Sequence, residues 1–198
     1  MSSISFREDL IVYLRSRLAV PRILLLWLAL SACALWLSSG VAFFVIFSVM
    51  ALLIAQFRLW DDLSDRKHDA LRHPQRILVN TAHYKGFVWL CAALALPLAW
   101  MISDKILIYI GLLAAFSLLY AAVQARLLRT HLILLKYPIF IWLCARDANP
   151  EQWLRTGLIV YLLLCVHVLA SDAELRAFRG WQWLAAAELA TCAALLIF

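Results

Sequence analysis

Between residues 56 and 76 the chain reads Gln-Phe-Arg-Leu-Trp-Asp-Asp-Leu-Ser-Asp-Arg-Lys-His-Asp-Ala-Leu-Arg-His-Pro-Gln-Arg. Four aspartates, Asp61, Asp62, Asp65 and Asp69, fall within nine residues at the end of an apolar run. Asp62, Asp65 and Asp69 are spaced i, i+3, i+7 and share one face if the helix is continuous. Three carboxylates stacked so closely repel one another and gain from a hard cation between them. Mg²⁺ prefers oxygen ligands and typically joins one or two carboxylates to substrate phosphates. Arginines bracket the cluster. Arg58 lies four residues before Asp62, Arg66 lies four after it, and Arg72 and Arg76 follow. A guanidinium offers a planar fork of donors to phosphate oxygens. Carboxylates for a metal and guanidiniums for an anion make an inventory for binding a diphosphate. The same residue types also suit a solvated loop of mixed charge, and both readings stay open at this point. A carboxylate at a membrane edge is a functional candidate by default.

The elements that must hold these residues follow from composition. Of 198 residues, 66% are apolar and 15% charged, with nine Trp and ten Phe; mean hydropathy is +0.87. A soluble domain is about half apolar and about a quarter charged. That excess excludes a soluble enzyme, a disordered chain, a collagen-like fibre and a disulfide-stapled secreted domain. A one-domain, polytopic membrane protein remains. Five cysteines, at 33, 91, 144, 165 and 192, lie in or beside apolar runs with no CxxC pair, so their spacing indicates neither a disulfide framework nor a zinc site.

Seven apolar stretches, 22–38, 41–57, 86–102, 105–124, 131–145, 154–171 and 182–198, each approach the length that crosses the hydrocarbon core. The backbone must satisfy itself in lipid, and the period-2 alternation of a barrel is absent, so the expected fold is an all-α transmembrane bundle of about seven spans. Fifteen of the 18 Lys and Arg fall on one set of segments, which includes the N-terminus and the stretch 58–85; only Lys105, Arg146 and Arg155 fall on the other. The positive-inside rule then places the N-terminus and the Asp-rich segment in the cytoplasm, at the inner membrane if the cell is bacterial. The net charge of +6 reads as this bias plus contact with anionic headgroups, not as nucleic-acid binding.

Ser5 and Glu8 are spaced as a capping box, which predicts a cytoplasmic amphipathic helix over 5–18 within a segment that ends at Pro21. Leu10, Leu14 and Leu18 fall on one face of it, with Arg15 and Arg17 near lipid phosphates. Leu30-Ser31-Ala32-Cys33 resembles a lipoprotein cleavage box, but the acidic Glu8 and Asp9 and the apolar run past Cys33 favour an ordinary first span. Seven spans also invite comparison with rhodopsin-like receptors; the orientation is opposite, and the last stretch has no Lys for a retinal Schiff base.

Asp62-x-x-Asp65-x-x-x-Asp69 resembles the first aspartate-rich signature of the UbiA superfamily of intramembrane prenyltransferases, which sits at the cytoplasmic end of that family's second helix. Pro74 and Arg76 fall at the offsets where the family commonly has a Pro and an Arg-Pro, and the entry from Tyr13 to Arg22 also looks family-like. The chain departs from the pattern in several places. Asp61 stands where the family usually has Asn, and Ile77 where it has Pro. At the place of the second aspartate motif, 167–176, only Asp172, with Glu174 beside it, offers a ligand. The family normally has nine spans, so a compact variant, a homo-oligomer or partner subunit closing the ring, or lost activity would each fit. Segment 167–176 has a second reading: Ser171 and Glu174 as a capping box with Asp172 at the helix N-terminus, against a continuing helix with His167, Ser171 and Glu174 on one face. Lys136, Arg126 and Arg129 occupy the region where the family often has a basic residue on the diphosphate.

The resemblance implies Mg²⁺ held by Asp62, Asp65 and Asp69 with help from Asp172, and a diphosphate met by Arg58, Arg66, Arg72, Arg76 and Lys136. The expected reaction is transfer of an isoprenyl group from a polyprenyl diphosphate to an acceptor that no sequence feature selects. Metal and arginines neutralise the departing diphosphate, and aromatic ring faces shelter the allylic cation. A non-catalytic UbiA-like protein binding a lipid diphosphate or a partner subunit, and a transporter or membrane scaffold with a merely solvated Asp loop, are the alternatives.

Overall fold

A chain this apolar must pair its backbone internally, and every regular element among the described residues is helical. The computed structural model describes residues 5–40, 42–123, 125–146 and 148–197. Residues 1–4 of the N-terminal segment, and the ends at 41, 124 and 198 of three apolar stretches, lie outside the described residues. Five helices are long and apolar enough to cross a membrane: Phe43–Ser64, Tyr84–Met101, Ser103–Ala122, Arg126–Cys144 and Pro150–Ser171. Phe6–Leu18 and Pro21–Trp36 make a sixth only if the pair, bent by 68°, is one span. Each of the seven expected stretches falls on a helix, but Pro21–Trp36 and Trp181–Ile197 have 16 and 17 residues and are shorter than the other five. Long apolar helices of this kind fit an integral membrane protein.

The chain divides into two compact units, Met1–Ala32 with Ala42–Ile106, and Cys33–Val41 with Leu107–Phe198. In the first unit, α1 (Phe6–Tyr13) starts at the capping box expected from the sequence. The Ser5 amide donates to Glu8 Oε2 at 2.8 Å, and the Glu8 amide donates to Ser5 Oγ at 3.4 Å. A π-helical turn, Leu14–Leu18, follows before Pro21 opens α2 (Pro21–Trp36). Such turns change which face a side chain occupies and recur at functional sites. Leu10 and Leu18 pack inward on a core of Tyr13, Leu59, Leu78 and Phe87, while Leu14 stays exposed. The expected three-leucine lipid face is therefore split. α3 (Phe43–Ser64), the short α4 (Arg66–Arg72) and α5 (Ile77–Asn80), and α6 (Tyr84–Ala93) supply the remaining walls, and α7 (Ala95–Met101) continues the last of them. Phe87 stands edge-on to Phe6 at 5.3 Å and packs on Tyr13 at 5.5 Å between ring centres. Gln56, buried in α3, donates to the Cys91 carbonyl at 3.3 Å and so ties α3 to α6.

The second unit contains α8 (Ile106–Ala122), α9 (Arg126–Leu134), α10 (Lys136–Cys144), α11 (Pro150–Ser171), α12 (Ala173–Arg176) and α13 (Trp181–Ile197). Asn149 caps α11 by accepting from the Glu151 amide at 2.9 Å, with Pro150 in the first turn where no amide is required. α10 and α11 approach closely at Gly157, where an added Cβ would lie 3.1 Å from Pro138 Cβ. Trp153, one turn before it, donates to the Pro138 carbonyl at 3.1 Å. Gly157→Leu is expected to destabilise by about 1–3 kcal/mol through overpacking. Gly111→Leu, at a helical glycine with nothing within 4 Å of the added carbon, should not destabilise. Thermal denaturation of both variants in detergent checks the pair; equal midpoints would mean that Pro138 yields freely.

Candidate functional site

The last turn of α3 carries Asp62 out of the apolar run, buried in the first unit. Its carboxylate is held by groups far away in sequence. Arg17 Nε donates to Oδ2 at 2.9 Å, and Arg17 Nη2 donates to Oδ1, a fork on the carboxylate. The Tyr13 hydroxyl donates to Oδ2 at 3.0 Å. Arg58 lies on the same face one turn earlier, as its spacing predicts, with its buried Nε 3.8 Å from Asp62 Oδ2, within ion-pair range but making no hydrogen bond.

The helix does not continue through the cluster. Asp65 leaves helical geometry (φ −88°, ψ 2°) and separates α3 from α4. Asp62, Asp65 and Asp69 therefore do not share one uninterrupted helical face: Asp62 ends α3, Asp65 sits at the break, and Asp69 lies on α4, buried, in an ion pair with Arg76 Nη1. Even so, Asp62 and Asp69 line one cleft of about 410 Å³ together with Tyr13, Ser16, Arg17, His73, Arg76 and Asn80. Its walls come from α1 with its π-turn, the end of α3, α4 and the 73–80 segment.

The other arginines separate. Arg66 is committed to backbone: Nε donates to the Leu78 carbonyl at 2.8 Å and Nη2 to that of Val79 at 3.4 Å, while the guanidinium lies 4.5 Å over the Tyr84 ring. It shapes the cleft by pinning α5. Arg72 is exposed on α4. Arg58, Asp65, Arg66 and Arg72 are not among the residues that line the cleft.

A further buried carboxylate, Asp9, anchors α1 beside this site. Asp9 Oδ2 accepts from Thr81 Oγ1 and lies 3.0 Å from His83 Nδ1, and the His83 amide donates to Thr81 Oγ1 at 2.9 Å. Burial alone would push the Asp9 carboxyl up, but the Thr81 and His83 hydrogen bonds and the His83 charge outweigh it and hold it below the usual carboxylate range.

Two residues expected at the site belong to the second unit. Asp172 accepts from the Glu174 amide at 2.8 Å and caps α12, so the long helix stops at Ser171 instead of continuing, and the cap is Asp172 on a four-residue helix in place of the expected Ser171–Glu174 box. Arg126 Nη2 meets Asp172 at 2.7 Å and Arg126 Nη1 meets Glu174. Lys136 is buried, its Nζ 5.8 Å from the Phe116 ring centre and 5.5 Å from that of Tyr137.

Sequence reading missed Arg17 and Tyr13 as site residues. Arg17 was one of several basic residues that topology alone explains; no local signal marks the one that reaches a carboxylate 45 residues away. Comparison with family models, with curated proteins and with solved structures finds no match.

The donor set fits a hard cation in type, since Asp62, Asp65 and Asp69 offer only carboxylate oxygens. A carboxylate has about four lone-pair positions, and Tyr13 with Arg17 occupies three at Asp62, while Arg76 engages Oδ1 of Asp69. A metal would share these carboxylates with their guanidiniums. Two guanidiniums facing one cleft also suit an anion.

Proposed function

We propose that the cleft binds the diphosphate of an isoprenyl lipid and that the protein transfers the isoprenyl group to an acceptor within the membrane, as the resemblance to UbiA prenyltransferases implies. The observation that carries this reading is the joining of Asp62, Asp69, Arg17 and Arg76 in one cleft where the apolar α3 ends. In this reading the chain crosses the membrane several times, with the N-terminus and the cleft on the cytoplasmic side. Arg76 and Arg17 donate to phosphate oxygens, Arg66 keeps the 77–80 wall in place, and the lipid tail runs along the apolar helices. The resemblance assigns Mg²⁺ to Asp62, Asp65 and Asp69, of which Asp62 and Asp69 line the cleft and Asp65 stands at the helix break between them. When bound, the ion supplies charge neutralisation for the leaving diphosphate.

A non-catalytic lipid-diphosphate binder is the second reading, favoured by the guanidinium partners that both buried carboxylates already have. Mg²⁺-dependent binding without turnover would mark it out.

The test is binding of a non-hydrolysable polyprenyl diphosphate analogue to purified protein in detergent, with and without Mg²⁺. Asp65 is half-buried at the helix break, and Asn keeps nearly the same size and shape, so Asp65→Asn is expected to leave the fold intact and to weaken Mg²⁺-dependent binding by at least about tenfold, the loss of one charged ligand. Equal binding by wild type and variant, or none in either across several chain lengths, would replace both readings with a scaffold.

A further inference from the structure

Three residues on three different helices of the second unit converge: His131 on α9, Cys165 on α11 and Glu188 on α13, with their ligand atoms all within 4.8 Å of one another. Cys165 and Glu188 are buried, and His131 is partly so. His131 Nε2 lies 3.1 Å from Glu188 Oε1. Its other nitrogen, Nδ1, lies 2.9 Å from the Leu127 carbonyl one turn back. A carbonyl can only accept, so Nδ1 carries a proton, and Nε2, which faces the carboxylate, either carries a second proton or presents its lone pair. Two acceptors at that distance repel unless a cation stands between them, either a proton or a metal ion. A proton on Nε2 satisfies Oε1 alone. Glu188 Oε2 is buried and has no hydrogen-bond partner, which is costly for a carboxylate.

The geometry points to a site for a divalent transition metal of the Zn²⁺ class, bound by His131 Nε2, Cys165 Sγ and the Glu188 carboxylate. Two N or O ligands about 2.0–2.1 Å from a tetrahedral ion lie about 3.3 Å apart, close to the 3.1 Å between His131 and Glu188. The backbone carbonyl on Nδ1 is the usual outer partner of a metal-bound histidine, and it fixes the tautomer. A thiolate, a carboxylate and a neutral imidazole balance a 2+ ion to zero net charge, which suits an apolar surrounding. Binding releases the thiol proton to solvent. Thiolate and imidazole select against Mg²⁺. Three protein ligands leave one position of a tetrahedron for water or a substrate atom. The site uses no residue of the diphosphate cleft, so either can fail without the other.

Co²⁺ titration of the purified, tag-free chain in detergent tests this. One Co²⁺ per chain is expected, with visible d–d bands of four-coordinate metal and a near-ultraviolet thiolate charge-transfer band. Cys165→Ser should remove the charge-transfer band, and Cys192→Ser, a cysteine on α13 outside the cluster, should keep it. Glu188→Gln and His131→Ala should each weaken Zn²⁺ binding in chelator competition by at least about 100-fold. Helical circular dichroism and gel filtration identify variants that fold. Absence of the band in wild type, its persistence in Cys165→Ser, or unchanged Zn²⁺ affinity in folded Glu188→Gln and His131→Ala would overturn the site.

Discussion

Asp62→Ala is expected to destabilise the protein by about 3–5 kcal/mol, the cost of breaking a buried ion pair by removing one partner. The Arg17 side chain keeps 19% of its exposure and that of Asp62 keeps 8%, so solvent screens the pair little. The substitution leaves the guanidinium and the Tyr13 hydroxyl without their acceptor, on the side of α1 that packs against α3. Asp62→Leu combined with Arg17→Met removes both charges, and it should cost less than the two single changes added together, because neither partner is left behind. Denaturant unfolding in detergent, followed by circular dichroism, measures the whole cycle. A loss below about 1 kcal/mol for Asp62→Ala would show a solvated contact of the kind that exposed pairs make.

Arg76→Ala is expected to weaken binding of the diphosphate analogue about 10–100-fold, the range for hydrogen bonds to a charged group. Arg76 lines the cleft and pairs with Asp69. Its removal also uncovers a buried carboxylate that repels the anion, which adds to the loss. Arg76→Lys keeps the charge but not the fork, and it should fall between wild type and Arg76→Ala. Lys67→Ala removes the same charge from an exposed position on α4 outside the cleft and should change affinity by less than about twofold. Equal weakening by Lys67→Ala and Arg76→Ala, measured by calorimetry or by a fluorescent analogue, would mean that diffuse positive charge attracts the ligand and the cleft does not.

The local features of this chain were legible in its residues. Hydropathy placed the seven apolar stretches on helices, and the Ser5–Glu8 spacing specified the start of α1. The charged segment 58–76 was marked as the place for chemistry, and two of its three signature aspartates line the cleft. These signals act within one or two helical turns, so they survive without knowledge of the fold. Which charge meets which carboxylate was not legible. The break at Asp65 divides an i, i+3, i+7 pattern that looks continuous on paper. Arg66 turns to the Leu78 and Val79 carbonyls instead of the cleft, and Asp172 caps a four-residue helix. Tyr13 and Arg17 reach Asp62 across 49 and 45 residues, and His131, Cys165 and Glu188 meet from three helices although no spacing among them suggests a ligand set. A helix's existence depends on neighbours a few residues away, whereas the partner of a buried charge depends on how distant helices pack, and only the tertiary structure decides that.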